Sequence, residues 1–158
     1  MGKTDAVFSI DVQTTDYTCP IGETVGNKNI MEGKIPVLSC EGACIRGEIA
    51  RLAANMVAGD EHFARACHGE LLSVPGSAMA QWVRQAQKVV LIDGCFLRCQ
   101  GRMIESLLEK DKFVQFDALS VYRKYTDVFD IDDVPEAERK EAARQVADSV
   151  LAVLRDGG

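Results

Sequence analysis

The sequence has no surplus of positive charge and few aromatic residues. Its 158 residues carry 18 lysines and arginines against 24 aspartates and glutamates, which gives a net charge of −6, and aromatic residues make up 6% of the chain. Nucleic-acid binding relies on clustered Lys and Arg that neutralise phosphates, often beside aromatic side chains that stack on bases. The composition therefore argues against nucleic acid as a partner.

Long apolar runs and a secretory leader are also lacking. No segment approaches the roughly twenty apolar residues of a membrane-spanning helix, and residues 1–6 contain no apolar signal core. We therefore expect a cytoplasmic protein that does not enter the membrane. The length fits one domain over residues 1–158, with a core large enough to fold without covalent cross-links.

Two features of the N-terminal part bear on the fold. Phe8, Ile10 and Val12 alternate with polar residues, which predicts a half-buried edge strand over residues 6–12. Residues 13–33 are rich in Thr, Gly and Asn and are typical of a long loop. Loops of this length are unusual in a compact domain unless they cover or build a site, so we expect this one to do so.

The rest of the chain alternates between strand and helix patterns. Short apolar runs predict strands at 35–39, 89–92 and 113–116. Helical spacing of apolar residues is found over about 44–58, 75–87, 97–110 and 135–155. This alternation predicts an α/β fold, with a single doubly wound, mostly parallel sheet in flavodoxin-like order and helices on both faces.

Six cysteines are the main candidates for function. In the reducing cytoplasm, cysteines indicate metal binding or thiol chemistry rather than disulfides. The first two of these predicted strands run into the pairs Cys40/Cys44 and Cys95/Cys99, each time just before a helix. Ligands of open α/β sheets bind beyond the carboxyl ends of the strands. We therefore expect both cysteine pairs to face one crevice.

Thiolates in this crevice would suit a thiophilic metal, and four of them are the usual ligands of structural zinc. Cys67 lies between the two pairs in sequence and completes a candidate set of Cys40, Cys67, Cys95 and Cys99. Cys44 and His68 are additional candidates. An iron–sulfur cluster uses the same thiolates and stays open as an alternative to zinc.

The same residues carry a family resemblance. The segments Cys40-Glu41-Gly42-Ala43, Gly47-Glu48-Ile49 and Asp93-Gly94-Cys95, together with Cys67 and Cys99, resemble the pattern of the DGC-domain family, which is associated with zinc binding. The resemblance spans roughly residues 35–118. It implies a zinc site in which Cys40, Cys67, Cys95 and Cys99 are the family cysteines.

Several features depart from this family pattern. Cys67 is followed by His-Gly-Glu, where the family more often has Leu-Ala-Gly, and Cys44 and Arg46 have no counterpart in it. The N-terminal loop with Cys19 and the acidic C-terminal region also lie outside the pattern. For Cys19 and Cys44, a role as small apolar core residues fits as well as metal ligation. These departures indicate a subgroup of the family.

An enzymatic alternative starts from the loop Cys40–Arg46. Its Cys-x5-Arg spacing between a strand and a helix resembles low-molecular-weight tyrosine phosphatases and arsenate reductases, in which a thiolate attacks while backbone N–H groups and Arg hold the oxyanion. The candidate general acids are Asp16, Asp93 and Asp117. Glu41 and Glu48 add negative charge beside the loop, and the second cysteine pair stays unexplained. We therefore favour metal binding over this alternative.

A thiol redox protein is a third hypothesis, in which two of the cysteines cycle through a disulfide. Both pairs are separated by three residues, whereas redox motifs of the Cys-x-x-Cys type are separated by two. The redox signal is therefore weak, and zinc binding is the favoured hypothesis.

Overall fold

The computed structural model describes residues 6–157 and builds them into four strands and seven α-helices. The strands are β1 (Ile35–Ser39), β2 (Phe63–Arg65), β3 (Val89–Asp93) and β4 (Phe113–Asp117). The helices are α1 (Pro20–Glu32), α2 (Ile45–Val57), α3 (His68–Ser73), α4 (Ala78–Gln85), α5 (Cys99–Ile104), α6 (Leu119–Tyr122) and α7 (Glu136–Asp156). Two short 3₁₀ turns, Glu105–Leu107 and Ile131–Asp133, complete the described elements.

The four strands form one parallel sheet in the order β2-β1-β3-β4. Strand β1 pairs with β3 so that Val37 lies opposite Val90 and Ser39 opposite Ile92. All carboxyl ends therefore lie at the same edge, and those of β1 and β3 are neighbours. The α/β fold with a parallel sheet, predicted from the alternation of strands and helices, is confirmed.

Helices cover both faces of the sheet. Successive residues of a strand point to opposite faces, so neighbouring residues of β1 and β3 pack into two different cores. Val37 and Val90 belong to a core that includes residues of α2 and α7. Leu38 and Leu91 belong to a second core that includes Trp82 of α4. Every residue of β3 is buried, as expected for a strand covered on both faces.

The predicted loop over residues 13–33 is wrong, because most of it is helix α1. Cys19 caps the helix by accepting a hydrogen bond from the Gly22 N–H, and Pro20 occupies the first turn. Gly33 ends the helix in the left-handed conformation, with φ 65°. The composition has weak helix propensity, but packing against α4 overrides it. The approach is close, since a Cβ on Gly26 would lie 2.4 Å from the Ala78 carbonyl carbon.

The predicted edge strand over residues 6–12 is also wrong. These residues have no regular secondary structure, and the side chains of Phe8 and Ile10 are 83% and 71% exposed. Alternation specifies a strand only where a neighbouring strand supplies the hydrogen-bond ladder. In the sheet that the structure describes, these residues pair with none of the four strands.

Several other boundaries differ from the sequence prediction. The helix expected over about 97–110 is two shorter pieces, α5 and the 3₁₀ turn that follows it. The helix expected over 75–87 is confined to α4 and is preceded by the separate short helix α3. The described residues include no helix with both the length and the apolar character that crossing a membrane requires.

Candidate functional site

A cleft of about 430 Å³ opens at the carboxyl edge of the sheet, beyond β1 and β3. Four cysteines line it: Cys40, Cys44, Cys95 and Cys99. They come from two chain segments that are far apart in sequence, and each segment leaves one of two neighbouring strands. The cleft is thus the crevice that the order of strands creates.

The Cys40 segment stays attached to the sheet before it turns. The Cys40 N–H donates to the Ile92 carbonyl at 2.8 Å, which extends the β1–β3 ladder by one residue. The chain then passes Gly42 and enters α2 at Ile45. The ladder therefore fixes the backbone of Cys40, which is one of the residues that line the cleft.

Two glycines allow the cysteine loops to pack on the first turn of α2. A Cβ on Gly47 would lie 2.2 Å from the Gly42 carbonyl oxygen, and a Cβ on Gly94 would lie 3.0 Å from the Arg46 carbonyl. Both contacts are with backbone atoms, which cannot swing aside as a side chain can. The two loops therefore approach each other across α2 only because these positions carry no side chain.

Replacing Gly47 by Ala tests this packing. We expect Gly47→Ala to lower the free energy of unfolding by about 1–3 kcal/mol, because the added methyl group overlaps a backbone carbonyl. Gly76→Ala is the matched control, since a Cβ there meets nothing within 4 Å and should change the free energy by less than about 0.5 kcal/mol. Urea unfolding of both variants measures the difference, and equal effects would contradict the packing argument.

Cys40 is half-buried. Burial raises the pKa of the Cys40 thiol, and the negative charges of Asp93 and Cys99 raise it further. The backbone N–H groups of Gly42 and Gly94 act in the opposite direction, and the Gly42 nitrogen lies 3.3 Å from the sulfur. A nearby cation would favour the thiolate over the thiol.

Asp93 lies behind the second cysteine loop and is only 1% exposed. Its Oδ1 accepts a hydrogen bond from the Gly101 N–H at 3.4 Å, so the carboxylate caps the start of α5, which Cys99 opens. Burial raises the pKa of the Asp93 carboxyl group. Asp93 therefore positions the helix that carries Cys99.

The loop between Cys95 and Cys99 has an unusual backbone. Arg98 adopts the left-handed conformation, with φ 53°, and its N–H donates to the Cys95 carbonyl at 3.0 Å. This turn places Cys99 at the first residue of α5. Phe96 and Leu97 are exposed, and Leu97 also lines the cleft. Cys95 is half-buried and Cys99 is exposed, and both line the cleft.

The structure does not bring Cys67 to this cleft. Cys67 is exposed at the tip of β2, directly before α3, and is not among the residues that line the cleft. The neighbouring His68 ring accepts a hydrogen bond from the Ser39 N–H at 3.3 Å, and burial lowers the pKa of His68. His68 is therefore a neutral, structurally engaged ring. Cys19 also lies outside the cleft, at the start of α1.

The cysteines of the cleft are ligands that suit a thiophilic metal, but their side chains are not close enough together to share an ion. Four cysteines line one cleft, and sulfur ligands select zinc and related ions. Within residues 6–157, no group of three His, Cys, Asp or Glu side chains is close enough to hold an ion. Metal binding would therefore draw the thiols of the two loops together.

One wall of the cleft was not predicted from the sequence. Thr126, Val128 and Phe129, which follow α6 in the chain, also line the cleft. The Phe129 carbonyl accepts the N–H of Ile45, and the Thr126 carbonyl accepts a hydrogen bond from the Arg46 guanidinium at 2.9 Å. These backbone contacts leave no signal in the sequence beyond the loop-like, acidic character of residues 127–134.

Comparison with known proteins identifies the family of the chain. Searches of curated proteins and of solved structures found no match to the chain. The model of the DGC domain matches residues 36–146, which include all four cysteines of the cleft and Cys67. Because the match covers more than half of the chain, the protein belongs to the DGC domain family.

Proposed function

We propose that this protein binds a thiophilic metal ion, zinc, through cysteine thiolates at the carboxyl edge of its sheet. The observation that carries the proposal is that Cys40, Cys44, Cys95 and Cys99 line a single cleft although they come from two distant segments. Unrelated core cysteines have no reason to converge on one open crevice. When bound, zinc would supply a cross-link between the two loops.

Cys40, Cys95 and Cys99 form the part of the ligand set on which geometry and resemblance agree. For the fourth ligand they differ. The family resemblance implies Cys67, whereas the cleft contains Cys44. Cys44 is the residue directly before α2, and the positive end of a helix dipole favours a thiolate at such a position. We therefore favour Cys44, with Cys67 as the alternative that an experiment must test.

Metal analysis of protein purified without added metal tests the proposal. We expect about one zinc per chain, as in a four-thiolate site, and no absorption in the visible range, because zinc(II) is colourless. Iron together with visible absorption would replace zinc by an iron–sulfur cluster. Protein that takes up neither metal, even after titration with zinc under reducing conditions, would contradict the proposal.

The phosphatase hypothesis has less support from the geometry. Burial raises the pKa of Cys40, whereas a nucleophilic cysteine is activated by a lowered pKa. The candidate acids are also poorly placed: Asp93 caps α5, Asp117 accepts a hydrogen bond from the Ser120 N–H, and Asp16 is exposed in the N-terminal segment. Hydrolysis of an aryl phosphate that is lost in Cys40→Ser would revive this hypothesis.

A further inference from the structure

A second cavity, of about 250 Å³, lies at the opposite end of β1 from the cysteine cleft. It is found between the last turn of α1, the start of β1 and the last turn of α4, where Asn29, Ile35 and Trp82 line it. None of the residues that line this cavity lines the cleft. A function of the cavity is therefore separate from the proposed metal site.

Two hydrogen bonds at Lys34 hold the walls of this cavity in place. The indole N–H of Trp82 donates to the Lys34 carbonyl at 2.9 Å, and the Lys34 N–H donates to the Asn29 carbonyl at 3.0 Å. Beside them Gly33, in the left-handed conformation, turns the chain from α1 into β1. The cavity is therefore formed before any ligand binds, as is usual for small-molecule sites.

The cavity has no charge that a ligand would have to neutralise. Among its described lining residues only Lys34 is ionic. The Lys34 ammonium group donates to the Glu61 carbonyl and lies 3.9 Å from the Glu32 carboxylate, so its charge is already compensated. Two isoleucines and Trp82 supply apolar surface. A neutral ligand with an apolar body therefore fits this cavity better than an ion does.

Asn29 is a polar residue of this cavity that lacks a partner. It is only 5% exposed, and its amide nitrogen is buried with no hydrogen-bond partner among the described residues. Such groups are rare, because a buried donor without an acceptor costs its full desolvation. Asparagine is also a weak helix former, so the stability of α1 does not explain its presence. Its amide carries both donors and an acceptor that a ligand can use.

We propose that this cavity binds a small, neutral, planar molecule whose edge carries a hydrogen-bond donor beside an acceptor, as a carboxamide or a nucleobase does. The Asn29 amide pairs with that edge, while the apolar walls contact the ring. Gln85 and Gln87, which are exposed and also line the cavity, offer further amides. The volume of about 250 Å³ lies just below the roughly 300–1,000 Å³ of typical ligand pockets, which limits the ligand to about one ring system.

Trp82 makes binding directly observable, because it lines the cavity and is the only tryptophan of the chain. We expect nicotinamide or uracil to change the Trp82 fluorescence saturably, with a Kd below about 1 mM. Nicotinamide represents the carboxamides and uracil the nucleobases, so the tighter probe identifies the source of the edge. Nicotinate has the ring of nicotinamide but a charged edge without a donor, and it should bind at least about 10-fold more weakly than nicotinamide.

Asn29→Leu removes the amide at similar volume. We expect it to weaken binding of the tighter probe by about 10-fold or more, because the polar edge of the ligand is then buried without a partner. The melting temperature should equal or exceed that of the unchanged protein, since the variant removes an unpartnered buried group. Asn27→Leu is the matched control, because Asn27 is exposed on the same helix, and it should leave the affinity unchanged.

Ala86→Leu is a second variant, which fills the cavity from the end of α4 and leaves Asn29 in place. It should also abolish the fluorescence response. No saturable response to either probe in the unchanged protein would overturn this inference, as would equal affinities of Asn29→Leu and the unchanged protein. Because the cavity and the cysteine cleft share no residue, either result would leave the proposed function standing.

Discussion

Protein that carries both Cys95→Ser and Cys99→Ser is expected to contain almost no zinc. The two thiols line the same cleft as Cys40, and a serine hydroxyl does not replace a thiolate as a zinc ligand. With two of four ligands removed, the zinc content after purification should fall from about one per chain to less than about a tenth. Atomic emission or mass spectrometry of the desalted protein measures this content.

Cys19→Ser is the matched control for this double variant. Cys19 is a free cysteine like the others, but it lies at the start of α1 and outside the cleft. Its replacement should leave the zinc content unchanged. The double variant must also be folded, which its metal-free melting temperature establishes by comparison with metal-free unchanged protein. A folded double variant that retains one zinc would show that the metal binds elsewhere.

If zinc binds as proposed, we expect it to bring the cysteine thiols of the cleft closer together. The described cysteines are all free, and no three side chains are yet close enough to share an ion. The free energy of zinc binding would therefore include the cost of bringing these thiols together.

The sheet was predictable because its strands are marked by local chemistry. A continuous run of branched apolar residues, as over 89–92, is typical of a strand that is covered by helices on both faces. The structure agrees, because β3 is buried along its whole length. Helix α1 was not predictable in the same way, because its residues have weak helix propensity and the helix depends on α4. Phe8 and Ile10 led to a wrong strand prediction for the opposite reason. Their alternation with polar residues is a local pattern, but a strand also needs a neighbouring strand to pair with, and the described sheet offers them none.

The cysteine cleft was half predictable. Both pairs follow strands whose carboxyl ends must share an edge in a parallel sheet, so the sequence places Cys40 and Cys95 at the same edge. The sequence does not tell whether the side chain of a residue at that edge points into the cleft or away from it. Cys67 also follows a strand, β2, but it lies outside the cleft.

Separate replacement of Cys44 and Cys67 decides the fourth ligand. We expect Cys44→Ser to weaken zinc binding by about 100-fold or more, because Cys44 shares the cleft with Cys40. A loss of this size is the upper limit for residues that only support a ligand, and removing a ligand itself should cost at least as much. Cys67→Ser should change the affinity by less than about 3-fold, since Cys67 is exposed at the tip of β2. Competition with a chromophoric chelator at fixed pH measures both affinities.

The opposite result would carry its own structural meaning. A large loss in Cys67→Ser with no loss in Cys44→Ser would support the ligand set that the family resemblance implies. The tip of β2 would then have to move toward the cleft when metal binds, although the His68 ring beside it accepts the Ser39 N–H. That hydrogen bond ties α3 to β1, so such a movement should be visible as a changed signal of the His68 ring on zinc addition. An unchanged His68 signal together with loss in Cys44→Ser would instead confine the site to the two loops that α2 holds together.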